Sequence, residues 1–76
     1  MRVKIYSREG CHLCEVAYAV VEQVCTELGE DYEVLDVDSD YALYEQYSDD
    51  VPVIAVDDRV IARWRVSPQQ LLDALT

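Results

Sequence analysis

No run of about 18 apolar residues occurs in this 76-residue chain, so nothing in it reads as a membrane-spanning helix. The opening MRVKIYS alternates charged and apolar residues and lacks the continuous apolar stretch of a secretory leader. The compartment expected on that basis is the cytoplasm, where a close cysteine pair stays reduced unless it is cycling. The cysteines number three, and an odd count argues against a disulfide scaffold in favour of one reactive pair and one spare thiol. There is one histidine, His12, and no second CxxC, so the four ligands usual for structural zinc are not available and no metal is expected. Lysine and arginine are missing from residues 9 to 58, and the net charge is −10. Nucleic acid and anionic membrane surfaces are poor partners for such a chain. Repeats, linkers and low-complexity stretches are also lacking.

What is there suffices for one small domain spanning residues 1–76. It is 51% hydrophobic and 29% charged, a balance that belongs to globular chains rather than disordered ones. Residues 2–6, RVKIY, place Val3 and Ile5 on one face of a strand. Gly10 breaks the pattern. From 13 to 28 a helical period gathers Leu13, Ala17, Val20, Val21, Val24 and Leu28 on one face, and Gly29 stops the helix. YEVLDV, residues 32–37, alternates as a second strand. Asp38 or Ser39 can cap a short helix reaching about residue 48, with Tyr41, Leu43, Tyr44 and Tyr47 as its core and half-core positions. PVIAV and RVIARW read as strands joined by a tight Asp57-Asp58 turn. Ser67-Pro68-Gln69-Gln70 combines an N-cap serine, proline at the first helical position and a box-closing glutamine, ahead of Leu71, Leu72 and Leu75. The order is β-α-β-α-β-β-α: an α/β fold with a four-stranded mixed sheet and helices on both faces, its first crossover right-handed.

This phasing makes the pair in Gly10-Cys11-His12-Leu13-Cys14 unequal. Cys11 precedes the first helical turn and is exposed. Cys14 falls at the edge of the apolar face and is half-buried. The unpaired N–H groups and partial positive charge of the helix start favour a thiolate at Cys11. A protonated His12 would add to that, unless its ring points away from the sulfur, and Arg8 would offset the neighbouring Glu9. Glu15 is either solvated or a proton acceptor for Cys14. Cys25 follows Cys14 by about 16 Å of helix, too far for a disulfide, and reads as a buried filler. The basic residues fall into two groups, Arg2, Lys4 and Arg8 before the CxxC and Arg59, Arg63 and Arg65 near the end. Either they flank a solvated acidic face, or they meet beside the CxxC to recognise an anionic partner. Tyr6, at the end of strand one, is a candidate wall of a substrate groove or a shield for the core. Trp64 between two arginines is a candidate binding residue, or an edge-strand side chain packed over the last helix.

A CxxC after strand one in this element order resembles the glutaredoxin family of the thioredoxin superfamily. Short bacterial glutaredoxin-like proteins share Tyr6, Gly10 to Cys14, Val51-Pro52 and Arg63-Trp64-Arg65, and the likeness covers essentially the whole chain. The resemblance implies a thioredoxin-like fold and a dithiol–disulfide oxidoreductase with no bound cofactor, in which Cys11 attacks and Cys14 resolves. It also implies a cis Val51–Pro52 bond, with Val51 docking the substrate backbone. Glutathione-using members carry a Gly-Gly pair where this chain has Arg63 to Pro68, and those side chains crowd the place where glutathione would lie. Arg8 could still pair with a carboxylate. The expected partners are a protein disulfide or a glutathione mixed disulfide, with glutathione or a thioredoxin-reductase-like enzyme as donor, acting on a monomer. Two other readings remain open: a small copper carrier, and a redox-fold adaptor using its Arg-Trp-Arg patch.

Overall fold

A computed structural model describes all 76 residues. Strand β1 (Val3–Ser7) is followed by α1 (His12–Leu28), β2 (Tyr32–Asp36), a 3-10 turn (Val37–Ser39), α2 (Tyr41–Tyr47), β3 (Val53–Val56), β4 (Arg59–Arg63) and α3 (Pro68–Leu75). The expected order is present. No helix is long and apolar enough to cross a membrane.

The strands lie in the order β2-β1-β3-β4. β1 is parallel to β2 and antiparallel to β3, and β3 is antiparallel to β4. The alternation of β1 decides the two faces. Val3 and Ile5 pair with Val56 and Ile54 and enter the main core with Ala17, Val21 and Val24 of α1 and Leu71 and Leu75 of α3. Lys4 and Tyr6 pair with Ala55 and Val53 on the opposite face, where the ring of Tyr6 stacks on Tyr47 of α2 at 4.4 Å. All four residues of β3 are buried, as befits a central strand covered on both sides.

Helix α1 ends at Gly29, whose φ of 68° is left-handed. The N–H of Gly29 donates to the Thr26 carbonyl, and that of Glu30 to the Cys25 carbonyl at 2.9 Å, so the last carbonyls are satisfied. A Cβ at this position would meet nothing within 4 Å, so only the backbone conformation calls for glycine. Gly29→Ala is therefore expected to cost about 1 kcal/mol, read as a lower urea midpoint with unchanged slope. The capping box at Ser67 is closed: Gln70 N–H donates to Ser67 Oγ at 3.1 Å and Ser67 N–H to Gln70 Oε1 at 2.9 Å.

Several local expectations are corrected. The cap of α2 is Asp40, which accepts from the amides of Ala42 and Leu43, because Asp38 and Ser39 are taken up in the preceding 3-10 turn. No residue of α2 is buried, and Tyr41 is 79% exposed, so only Leu43 and Tyr47 turn inward. The helix covers one sheet face with a single edge. Leu28 is exposed at the end of α1, and Cys25 takes its place in the core. β4 stops at Arg63, one residue short, because Trp64 has a φ of 64°.

The Asp57-Asp58 turn is a hairpin with positive φ at both residues, 52° and 66°, as a primed turn requires. Each basic group is divided between the two ends of the sheet, with Arg8 and Arg65 toward the CxxC and Arg2, Lys4 and Arg59 toward the hairpin. Arg2 grips Asp57 with two nitrogens at 3.0 and 2.9 Å and reaches Glu30, while Lys4 pairs with Asp58 at 3.2 Å. Both lie at the end of the sheet where β1 begins, away from the cysteines. At the other end, the close of β1, the start of β3 and the close of β4 lie side by side. This topology brings Cys11, Val51-Pro52 and Trp64 to one edge.

Candidate active site

Gly10, with a φ of 76°, turns the chain from β1 into α1. Cys11 then adopts an extended conformation and caps the helix with its own side chain: the Cys14 amide donates to Cys11 Sγ at 3.2 Å. The helix start offers unpaired N–H groups, and one of them is spent on sulfur. Cys11 remains partly exposed, whereas Cys14 is 5% exposed. The asymmetry read from helix phase is present, with Cys14 buried more deeply than half.

Burial pushes the Cys14 thiol up to about 11, and a hydrogen bond to the Cys11 sulfur pushes the same way; the backbone and guanidinium of Arg8 oppose both. A raised value keeps the neutral form, so Cys14 is a protonated thiol at neutral pH. Burial likewise raises Cys25, a core residue of α1 distant from the pair. Brief iodoacetamide treatment of the reduced protein at neutral pH is therefore expected to give one adduct, on Cys11, with Cys14 and Cys25 labelled only after unfolding. Peptide mass mapping checks this, and equal labelling of Cys11 and Cys14 would contradict the burial described.

An open depression of about 350 Å³ adjoins the pair, lined by Ser7, Arg8, Glu9, Gly10, Cys11, Cys14, Glu15 and Tyr18. Arg8 is part of it, but its guanidinium is committed to Asp38 through two bonds at 2.9 and 3.0 Å, with a third to the Ser48 carbonyl. The Tyr44 ring lies 5.8 Å below. Arg8 is thus a brace between the CxxC loop and α2, and the carboxylate it holds is the chain's own. His12 is exposed and makes no side-chain hydrogen bond. Glu9 and Glu15 are exposed on the rim. Tyr6 does not line the depression; its ring is half-buried beneath α2.

Pro52 is buried, Val51 is half-buried before it, and the bond between them is cis. The Pro52 carbonyl accepts from the amide of Trp64 at 2.8 Å, tying the two loops. Trp64 is not buried against α3. It is 51% exposed, and its indole N–H donates to the Asp49 carbonyl at 3.2 Å. Tyr18 and Val16 near the pair were not singled out in the sequence. Tyr18 stands one helical turn after Cys14, and Val16 one turn after Leu13, so the i+3, i+4 spacing was the available signal.

The chain matches the family model described as Glutaredoxin-like domain (DUF836) over residues 2–76. It is similar to the solved structure of protein Ne2328 from Nitrosomonas europaea, 30% identical, with a TM-score of 0.82 over 99% of this chain and 91% of that one. Protein XcR50 from X. campestris is 27% identical, with a TM-score of 0.78 over 96% and 93% of the two chains. Thioredoxin 1 from Thermosipho africanus TCF52B, 18% identical over 99% and 90% with a TM-score of 0.69, shares the fold. A comparison with curated proteins finds no match. With the family model spanning all but the first residue and the sheet, helices and cysteine pair in place, the chain belongs to the glutaredoxin-like family of the thioredoxin fold.

Proposed function

We propose that this protein is a dithiol–disulfide oxidoreductase. The observation that carries the reading is the inequality of the pair: an accessible Cys11 sulfur that accepts a helix N-terminal amide, over a buried, protonated Cys14. The Cys11 thiolate attacks one sulfur of a substrate disulfide; a Cys11–substrate disulfide forms and the other substrate sulfur leaves as a thiolate. Cys14 then gives up its proton, to the departing thiolate or to water, and attacks Cys11 Sγ. The second substrate thiolate leaves, and Cys11 and Cys14 are joined. Two electrons have passed to the substrate.

The causes of the Cys14 shift support this order. Once Cys11 is bonded to substrate its sulfur is uncharged, and the contribution of Cys11 to holding Cys14 protonated disappears. Cys14 thus becomes more acidic at the stage where it has to act. In this reading Val51, half-buried ahead of the buried Pro52, offers its backbone to the chain carrying the substrate cysteine. The dithiol is restored by a two-electron donor, either two molecules of glutathione or a thioredoxin-reductase-like enzyme. The substrate is a protein disulfide or a glutathione mixed disulfide, and no bound cofactor takes part.

Turnover of a small symmetric disulfide and of insulin, followed with glutathione plus glutathione reductase and in parallel with thioredoxin reductase, tests the reading and separates the donors. The expected result is turnover with one of the two. Failure with both, together with no stoichiometric exchange from protein reduced beforehand, would overturn it. A copper carrier would bind Cu(I) tightly without reducing either disulfide.

A further inference from the structure

Four of the six basic side chains, Arg2, Lys4, Arg8 and Arg63, are held in ion pairs within the chain. Of the remaining two, Arg59 starts β4 at the hairpin end. Arg65 alone stands unpaired at the cysteine end of the sheet, next to Trp64. There the backbone is held in a conformation that bulky residues rarely adopt. Arg65 N–H donates back to the Arg63 carbonyl at 2.6 Å, closing a γ-turn about Trp64. The bonds from Trp64 to Pro52 and Asp49 fix this turn from two sides. The outcome is a large aromatic held half out of the surface, where free packing would have buried it.

A groove of about 260 Å³ runs between this turn and α1, lined among others by Leu13, Val16, Ala17, Trp64, Arg65 and Gln70. Leu13 belongs to the CxxC itself, so the groove starts at the reacting pair. Its floor is apolar, Val16 and Trp64 are exposed along it, and its one charged side chain is the unpaired cation.

Resting on the reductase reading above, we infer that this groove holds an extended segment of a protein substrate beside its reacting cysteine. An apolar side chain lies on Val16 and Trp64, and a carboxylate meets Arg65, which makes Arg65 a specificity-determining residue. Charge complementarity carries the choice of occupant. With a net charge of −10 the molecule repels acidic partners at large, so a carboxylate is favoured at one position of the segment and disfavoured elsewhere.

The test is a set of disulfide-linked peptides of equal length and composition. A single glutamate is moved through the positions around the cysteine, and kcat/KM is measured for the wild-type protein and for Arg65→Glu. Arg65 is exposed, so the substitution leaves the core alone. At one position glutamate is expected to raise kcat/KM about threefold in the wild type, less so at high salt. In Arg65→Glu that preference inverts, and lysine at the same position becomes the better residue. The sole tryptophan, Trp64, reports the same event as a fluorescence change when peptide binds to Cys11→Ser, which does not exchange with it. No position-dependent preference, or a preference that survives in Arg65→Glu, overturns the inference and leaves the reductase reading standing. A wild-type protein that reduces neither the peptides nor a small disulfide overturns both.

Discussion

Replacing Cys11 by serine is expected to reduce disulfide turnover to the uncatalysed background, while Cys14→Ser retains the first exchange and accumulates a mixed disulfide. The two variants differ because the cysteines do different chemistry. Cys11 supplies the only accessible sulfur of the pair, and a serine hydroxyl in its place is not ionised at any physiological pH and does not exchange with disulfides. With Cys11 intact and Cys14 absent, the substrate sulfur leaves normally, but no internal thiol follows to release the rest. Intact-mass measurement after a stoichiometric pulse of disulfide should find the adduct on Cys14→Ser and none on Cys11→Ser. Full turnover by Cys11→Ser would remove the basis of the proposed function. Turnover by Cys14→Ser sustained by glutathione alone would show that an external thiol can replace the internal one.

The burial of Cys14 gives this prediction a pH dependence. Its thiol is raised to about 11 in the reduced protein, so the anion is scarce at neutral pH and its share increases as pH rises toward that value. Resolution should therefore accelerate with pH wherever it limits turnover. The acceleration sets in below about 11, because the charge of Cys11 is absent from the mixed disulfide. Stopped-flow release of the second substrate thiol across a pH series measures this step separately from the first.

The second large effect concerns stability. Ile54 lies on the central strand with none of its surface exposed, between Ile5 and Ala62 and under α1 and α3. Ile54→Ala removes buried methyl and methylene groups and leaves a cavity, at a cost of about 2–5 kcal/mol. A domain of 76 residues holds about 4–11 kcal/mol in total. The variant is thus expected to lose a large part of its stability, with a urea midpoint lower by about 2 M and an unchanged slope. Val34→Ala, on the exposed edge strand β2, serves as the contrast and should change stability by less than about 0.5 kcal/mol. Similar midpoints for the two variants would contradict the layered core.

Much of this molecule is local in origin. The period of 13–28 placed α1, Gly29 ended it, and Ser67-Pro68-Gln69-Gln70 started α3, because caps and helix faces depend on neighbours within one or two turns. The inequality of Cys11 and Cys14 followed from the same phasing. Other features depend on partners far along the chain. Arg8 reads in sequence as a candidate carboxylate ligand, and Asp38, thirty residues on, takes its guanidinium. Arg2 and Lys4 gave no sign that they would hold the turn at Asp57 and Asp58, more than fifty residues away. Tyr41 and Tyr44 suit a buried helix face, yet α2 rests on the sheet by one edge.

Trp64 shows the division most sharply. In sequence it completes a strand and suits a packed position over the last helix. Instead its backbone is left-handed, its two N–H groups bond to Pro52 and Asp49, and its ring stands at the surface next to an arginine with no partner. The element order, the thiol pair and the different standing of its two members are legible in the residues alone, since each rests on spacing between near neighbours along the chain. Tertiary structure decided which end of the sheet gathers the loops, which cations are consumed and what surface adjoins Cys11. Those depend on strand order and long-range pairing, which local spacing does not encode.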